Sequence, residues 1–263
     1  MPRTLIGTTL SNARSIFSSR IGSQTTVLTV LIGCWEVIGR SVQSPLLPPL
    51  TAILTAWLDL IFTKAFQRDL GISLFTMAMG FFAALVSGIL LGVIMARYRT
   101  VEKLLDPYMN ALMSSPISAL VPIIMLVFGS QFTARVVIVF LFSFFAICIN
   151  TVTGVKNADR ALVEMVRSFG ANDRQVTTIV ALPGALPMIL QGVRLSIARA
   201  VGGVLIAELM MALSGLGYQL STYGAAFLID YVYAIVGTIT LIAYLLTEAV
   251  RLVERQLTYG RGT

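Results

Sequence analysis

From Gly71 to Ala96 no side chain carries a charge. Comparable apolar runs recur at Thr25–Ile38, Leu104–Phe128, Arg135–Val152, Pro187–Leu213 and Tyr231–Val250. A bilayer core takes about 20 predominantly apolar residues to cross as a helix. Composition agrees: 57% of the 263 residues are hydrophobic and only 12% are charged, against about a quarter charged in soluble domains. The expected fold is an all-α integral membrane protein with six transmembrane helices. The first run is short, and Ile21 and Gly22 extend it. A cleaved signal peptide would account for it only if small residues stood where Trp35 and Glu36 stand.

The net charge of +7 is distributed at span ends, which argues for membrane topology and against nucleic acid. With six spans, Arg3, Arg14, Arg20, Arg97, Arg99, Lys103, Lys156, Arg160, Arg167, Arg174, Arg194, Arg199, Arg251, Arg255 and Arg261 fall on one side. Arg40, Lys64, Arg68 and Arg135 fall on the other. Positive charge marks the cytoplasmic face, so both termini are expected there. The expected organisation is a cytoplasmic tail over 1–24, one transmembrane domain over 25–250 and a second cytoplasmic tail over 251–263. Ser44 to Pro49 reads as a rigid extended stretch, followed by an amphipathic helix from Thr51 to Phe66. Gly80, Gly88 and Gly92 permit close helix approach. Leu104–Phe128 is interrupted by Pro107, Pro116 and Pro122.

Residues 157–186 are the long polar-bearing segment between apolar ones. Asn157 or Asp159 can cap a helix in which Ala161, Leu162, Met165, Val166 and Phe169 recur on one face. Gly170 stands where that helix stops. Asn172 with Gln175 resembles a capping box that restarts a second short helix, expected to end at Leu182-Pro183 and Pro187. By capping and periodicity alone this is an amphipathic elbow, which could equally lie in the headgroup layer.

Chemistry within the chain finds little support. There is no histidine, the commonest metal ligand and general base. No G-x-x-x-x-G-K-[ST] loop is present to cradle phosphate. Cys34 and Cys148 lie in apolar segments and read as core residues. No catalytic or metal-binding residue is assigned, and a self-contained intramembrane enzyme is disfavoured. Glu36 and Glu248 lie near span ends. Glu208 lies well inside the fifth span, where a buried charge has a purpose: it lines a water-filled path or pairs with a neighbouring helix. Asn110, Ser114, Ser115 and Ser118 surround the Pro116 break, suiting a path wall or interhelical bonding. Met210, with Met77, Met79, Met125 and Met211, offers flexible gate or core side chains. Arg194 and Arg199 answer headgroup phosphates most simply, with anion steering as the other role.

Glu164, Gly170-Ala171 and Val180-Ala181-Leu182-Pro183 resemble the EAA signature of bacterial ABC importer permeases. Met165 and Val166 replace its alanines. Trp35-Glu36, Leu47-Pro48-Pro49, Ser115-Pro116-Ile117-Ser118-Ala119-Leu120-Val121-Pro122, Val127-Phe128-Gly129 and Ser214-Gly215-Leu216-Gly217-Tyr218 resemble the nitrate/sulfonate/taurine group of those permeases. The resemblance implies a type I importer permease fold in the bacterial inner membrane. It makes the elbow a coupling helix, with Glu164, Arg167, Ser168, Phe169, Gly170, Ala171, Asn172, Leu182 and Pro183 serving a separate ATPase. It further implies a homodimer, two ATPase subunits holding ATP and magnesium, an external binding protein and a small, anionic solute. Under it Ser114, Ser115, Ser118, Glu208 and Met210 are the candidate pathway residues. An ion-coupled secondary transporter is the other function class, with Glu208 its one coupling residue.

Overall fold

A small-residue stripe sets the packing of the longest helices. A computed structural model describes residues 26–42, 44–129, 132–211 and 213–258. The expected N-terminal tail, with Arg3, Arg14 and Arg20, lies outside the described residues, as does Arg261. In chain order the helices are α1 (residues 26–42), α2 (Leu50–Ile61), α3 (Lys64–Arg97) and α4 (Arg99–Ser114). A 3-10 turn (Ile117–Leu120) leads to α5 (Val121–Phe128), α6 (Phe132–Lys156) and α7 (Arg160–Ser168). Then come α8 (Asp173–Gln175), a π turn (Val176–Ala181), α9 (Leu182–Met211), α10 (Leu216–Ala225) and α11 (Ile229–Thr258).

Gly80, Ala84, Gly88 and Gly92 recur at every fourth position on α3, and all of them are buried. A Cβ on Gly80 would lie 2.8 Å from the Val136 carbonyl, and one on Gly92 would lie 2.6 Å from Thr151 Cβ. The contacts advance together along both chains, so α3 and α6 run parallel. Lipid offers no hydrophobic drive between helices, so close packing of small residues holds them. On the adjoining face of α6, Gly192 faces Asn150 and Gly154 faces Ala185 and Met188. Ser196 donates to the Ser143 carbonyl at 2.9 Å. These pairings run in opposite senses, so α9 is antiparallel to α6. The central helix is α6: half of its most apolar stretch is buried, against 22% for α3.

Among the described residues, four helices are long and apolar enough to cross a membrane: Lys64–Arg97, Phe132–Lys156, Asp173–Met211 and Ile229–Gln256. The expected third span is instead a bent pair, α4 with Ile117–Phe128, turning by 92°. Ser115 is extended there, as a residue before proline prefers to be. Pro107 sits inside α4 without breaking it, and Pro122 falls in the first turn of α5, where a missing N–H costs nothing. The expected first span is the helix over 26–42. The helix expected over Thr51–Phe66 divides at Thr63, which accepts from the Phe66 N–H and starts α3 early.

The elbow's second helix does not stop at Leu182-Pro183 and Pro187. It continues as one 39-residue helix from Asp173 to Met211. Proline's ring would collide with the carbonyl four residues earlier, which for Pro183 is that of Ile179. That residue lies in the wide π turn, so the extra residue of the turn makes room.

The two motifs Trp35-Glu36 and Leu47-Pro48-Pro49 meet. Trp35 donates its indole N–H to the Pro48 carbonyl at 3.2 Å, and Glu36 accepts from the Thr51 N–H at 3.1 Å. Glu36 also pairs with Arg40 at 2.6 Å. Cys148 is buried as expected, whereas Cys34 is exposed on α1.

Replacing Gly92 by leucine overpacks the α3–α6 contact and should cost about 1–3 kcal/mol or more. Gly71→Ala meets nothing within 4 Å and serves as the control. The thermal midpoint of the detergent-solubilised protein should fall for the first and hold for the second.

Candidate functional site

At the end of the bundle that carries Arg97 and Lys156, α7 and α8 form a corner fixed by its own backbone. Asp159 accepts from the Ala161 N–H at 2.8 Å and caps α7. At the other end Gly170 has φ +84°, where a side chain would strain the backbone. The Gly170 N–H donates to the Arg167 carbonyl (2.9 Å) and the Ala171 N–H to the Val166 carbonyl (3.2 Å). This is the double bond pattern of a Schellman stop. Next, the Gln175 N–H donates to Asn172 Oδ1 (2.9 Å), and the Asn172 N–H donates to Gln175 Oε1 (2.8 Å). The expected capping box is present. Arg167 pairs with Asp173 across the corner at 3.1 Å.

No residue of α7 is buried by its own chain. Leu162, Met165 and Phe169 share its apolar face, and Phe169 is 85% exposed. An apolar knob beside polar residues marks an interaction surface. Behind it lies a cleft of about 520 Å³, lined by Arg97, Lys156, Arg160, Glu164, Arg167 and Asp173 among others. Glu164, Arg167, Ser168, Phe169, Gly170, Ala171 and Asn172 are thus brought into one corner. Leu182 and Pro183 stand at the root of α9, past the π turn.

At the opposite end, Glu208 has no exposed surface. Ser73 of α3 lies 2.8 Å from both of its carboxylate oxygens, and the Gly217 N–H donates to Oε2 at 3.0 Å. Ser73 in turn accepts from the Leu216 N–H at 2.9 Å. A Cβ on Gly215, whose φ is +98°, would collide with the Glu208 carboxyl carbon, and one on Gly217 would come within 2.7 Å of Glu208 Cβ. The glycines of Ser214-Gly215-Leu216-Gly217-Tyr218 let the chain wrap that carboxylate. Arg135 donates to Ser214 Oγ at 3.0 Å, and Gln219 donates to Asp69 at 2.6 Å. Four segments, α3, α6, α9 and α10, therefore meet at one polar cluster. Ser73, Gly215 and Gly217 were not legible as partners of Glu208, because they lie far from it in sequence or in a turn of unknown direction.

The remaining candidates stand elsewhere. Ser114 and Ser115 are exposed at the end of α4 and bond the carbonyls of Asn110 and Ala111. Ser118 is exposed in the 3-10 turn. Met210 is 47% exposed on α9. Ala207 and Met211 of α9 pack against α5, whereas Glu208 bonds to α3 and α10.

The family of binding-protein-dependent transport system inner membrane components matches residues 88–259. The chain belongs to that family. It is a multi-pass membrane permease, and the matched segment contains the elbow, Glu208 and α10. The permease is 34% identical over 243 residues to the putative aliphatic sulfonates transport permease protein SsuC of Bacillus subtilis. That match covers 89% of this chain and 86% of the relative. It is 32% identical over 248 residues to the taurine transport system permease protein TauC of Escherichia coli, covering 92% and 89%. Its fold resembles a chain of the inward-facing MetNI methionine ABC transporter, with TM-score 0.62, 21% identity and coverage of 74% of this chain and 96% of the other. These findings bear out the expected type I importer permease fold.

Truncating Glu208 to alanine leaves the Gly217 N–H without an acceptor and Ser73 without its carboxylate, at about 1–3 kcal/mol per orphaned group. Glu208→Gln keeps one acceptor oxygen and should cost less. Gly215→Ala suffers both the collision and the positive φ, so it should destabilise at least as much as Glu208→Ala. Thermal midpoints of the solubilised variants give the order.

Proposed function

We propose that this permease works as a homodimer in an ATP-driven importer, with two ATPase subunits seated on the elbows and an external binding protein at the Glu208 end. ATP and magnesium belong to the ATPase chains, and this chain performs no chemistry. The elbow and both termini face the cytoplasm in this reading, as the distribution of Lys and Arg favours. The solute is a small organic anion of the sulfonate class. The names of the sulfonate and taurine relatives, each matched across most of both chains, support that assignment.

The observation that carries the proposal is the apolar face of α7, exposed in its own chain and held by a corner with almost no slack. Phe169 is the anchor that enters the ATPase, with Leu162 and Met165 beside it. Glu164, Arg167, Ser168, Ala171 and Asn172 form the polar rim, and Gly170 sets the angle. ATP drives the cycle only by favouring one conformation of the dimer over the other. A displacement of the corner passes into α8 and along one helix about 58 Å long at 1.5 Å per residue, which ends at the Glu208 cluster. Leu182 and Pro183 stand at the root of that lever. Ser114, Ser115, Ser118 and Met210 line the path, and Glu208 secures its wall from behind.

Anchors of this kind cost about 2 kcal/mol or more when truncated. Phe169→Ala should therefore lower the ATPase recovered with the tagged permease by at least about tenfold, with membrane insertion unchanged. Undiminished recovery would remove the elbow from the docking surface.

A further inference from the structure

Three of the four long helices carry their charges only near their ends. Between Asp69 and Arg97 α3 has none, between Arg135 and Lys156 α6 has none, and between Asp230 and Glu248 α11 has none. On α9, Arg194 pairs with Glu254 at 3.6 Å and Glu208 is held in the cluster described above. Arg199 stands between them. Its neighbour Ser196 bonds the carbonyl of Ser143, and Ala200 packs with Val139. Arg199 is thus level with about Phe140 of α6, about 24 Å along that helix from Lys156 and about 8 Å from Arg135 at 1.5 Å per residue. The sequence places it at a span end beside headgroup phosphates; the packing of α9 on α6 places it deep in the hydrocarbon layer, about 30 Å thick.

The Arg199 guanidinium makes no hydrogen bond or ion pair with the described residues of its own chain. It is half-buried and next to Leu195 and Gly202 on the open face of α9, and nothing lies within 4 Å of a Cβ built on Gly202. An arginine at this depth is costly against lipid, and snorkelling serves cations near helix ends. No carboxylate of the described parts of α3, α6 or α11 stands at this level, which leaves the guanidinium open to a counter-ion.

We propose that Arg199 coordinates the transported solute as it passes between the two permease copies, and that its counter-ion is a small anion whose head presents two or three oxygens, as a sulfonate does. A guanidinium presents a fixed fork of donors suited to such a head. Gly202 leaves space beside it, and the face it occupies is the wall of the path. This rests on the importer assignment above and adds to it a solute-contacting residue inside the membrane.

The test uses the full complex of permease, ATPase and binding protein in proteoliposomes, in two arms. In the first, Arg199→Cys is made with Cys34→Ser and Cys148→Ala, and treated with the membrane-impermeant anion 2-sulfonatoethyl methanethiosulfonate in each nucleotide state. Labelling in at least one state is expected. Its absence in every state overturns the proposal, because a thiol facing lipid or a packed protein surface is not reached from water. In the second arm, ethanesulfonate uptake is compared in wild type, Arg199→Gln and Arg199→Lys. The Gln variant should lose at least about tenfold, and the Lys variant, which keeps the charge but not the fork, should fall between it and wild type. Wild-type uptake by Arg199→Gln overturns the proposal, as does failure of that variant to assemble with the ATPase, which would make Arg199 a structural contact. Labelling of the Arg199→Cys variant together with no ethanesulfonate uptake by wild type supports the path position and removes the sulfonate assignment instead.

Discussion

The contact on which the rest of this structure depends is the mutual packing of α3, α6 and α9. In a bilayer the hydrophobic effect does not press helices together, so they must fit. The stripe of Gly80, Ala84, Gly88 and Gly92 on α3 and that of Gly192, Ser196, Ala200 and Gly203 on α9 let backbones come close enough for dispersion and a few polar bonds to act. Ser196 to the Ser143 carbonyl is one such bond, at 2.9 Å. With those three helices fixed, α11 and α2 pack on one flank through Ala56, Leu60, Ile235 and Ile239, and α5 packs on another through Val121 and Ile124.

This core ties together two polar features at opposite ends. The elbow is stiff because each of its turns closes on itself: an aspartate cap, a Schellman stop and a capping box succeed one another within a few residues. The carboxylate of Glu208 does the equivalent at the other end, where it gathers backbone N–H and hydroxyl donors from segments far apart in sequence. Burying a carboxylate costs several kcal/mol unless its oxygens find donors. Ser73 and the Gly217 N–H are those donors, and glycine at 215 and 217 is what allows them to approach.

Between these ends α8 and α9 form one uninterrupted helix. Two prolines near its start would suggest a hinge, yet the π turn absorbs the first and the helix continues. The part of the chain best suited to bend is instead the Ser115-Pro116 break, where α4 and the segment Ile117–Phe128 turn by 92°. Coupling to a nucleotide-driven partner requires two packings of unequal affinity for it, and the break is where the chain can change direction without breaking helix bonds.

Much of this was legible in the sequence. The charge-free runs fixed the fold class, because only long helices satisfy their own backbone in lipid. The cap at Asp159, the left-handed Gly170 and the Asn172–Gln175 box are local devices, so spacing alone revealed them. Gly80, Gly88 and Gly92 announced close packing, though not against which helix. What sequence could not settle was whatever depends on how distant segments meet. The prolines at 183 and 187 looked like stops until the π turn made room for them. Glu208 had two readings until Ser73 and the Gly215–Gly217 turn arrived beside it. Arg199 looked like a headgroup contact until the pairing of α9 with α6 gave its depth. Local backbone chemistry is written residue by residue, whereas partner and depth are properties of the packed bundle and exist only once it has formed.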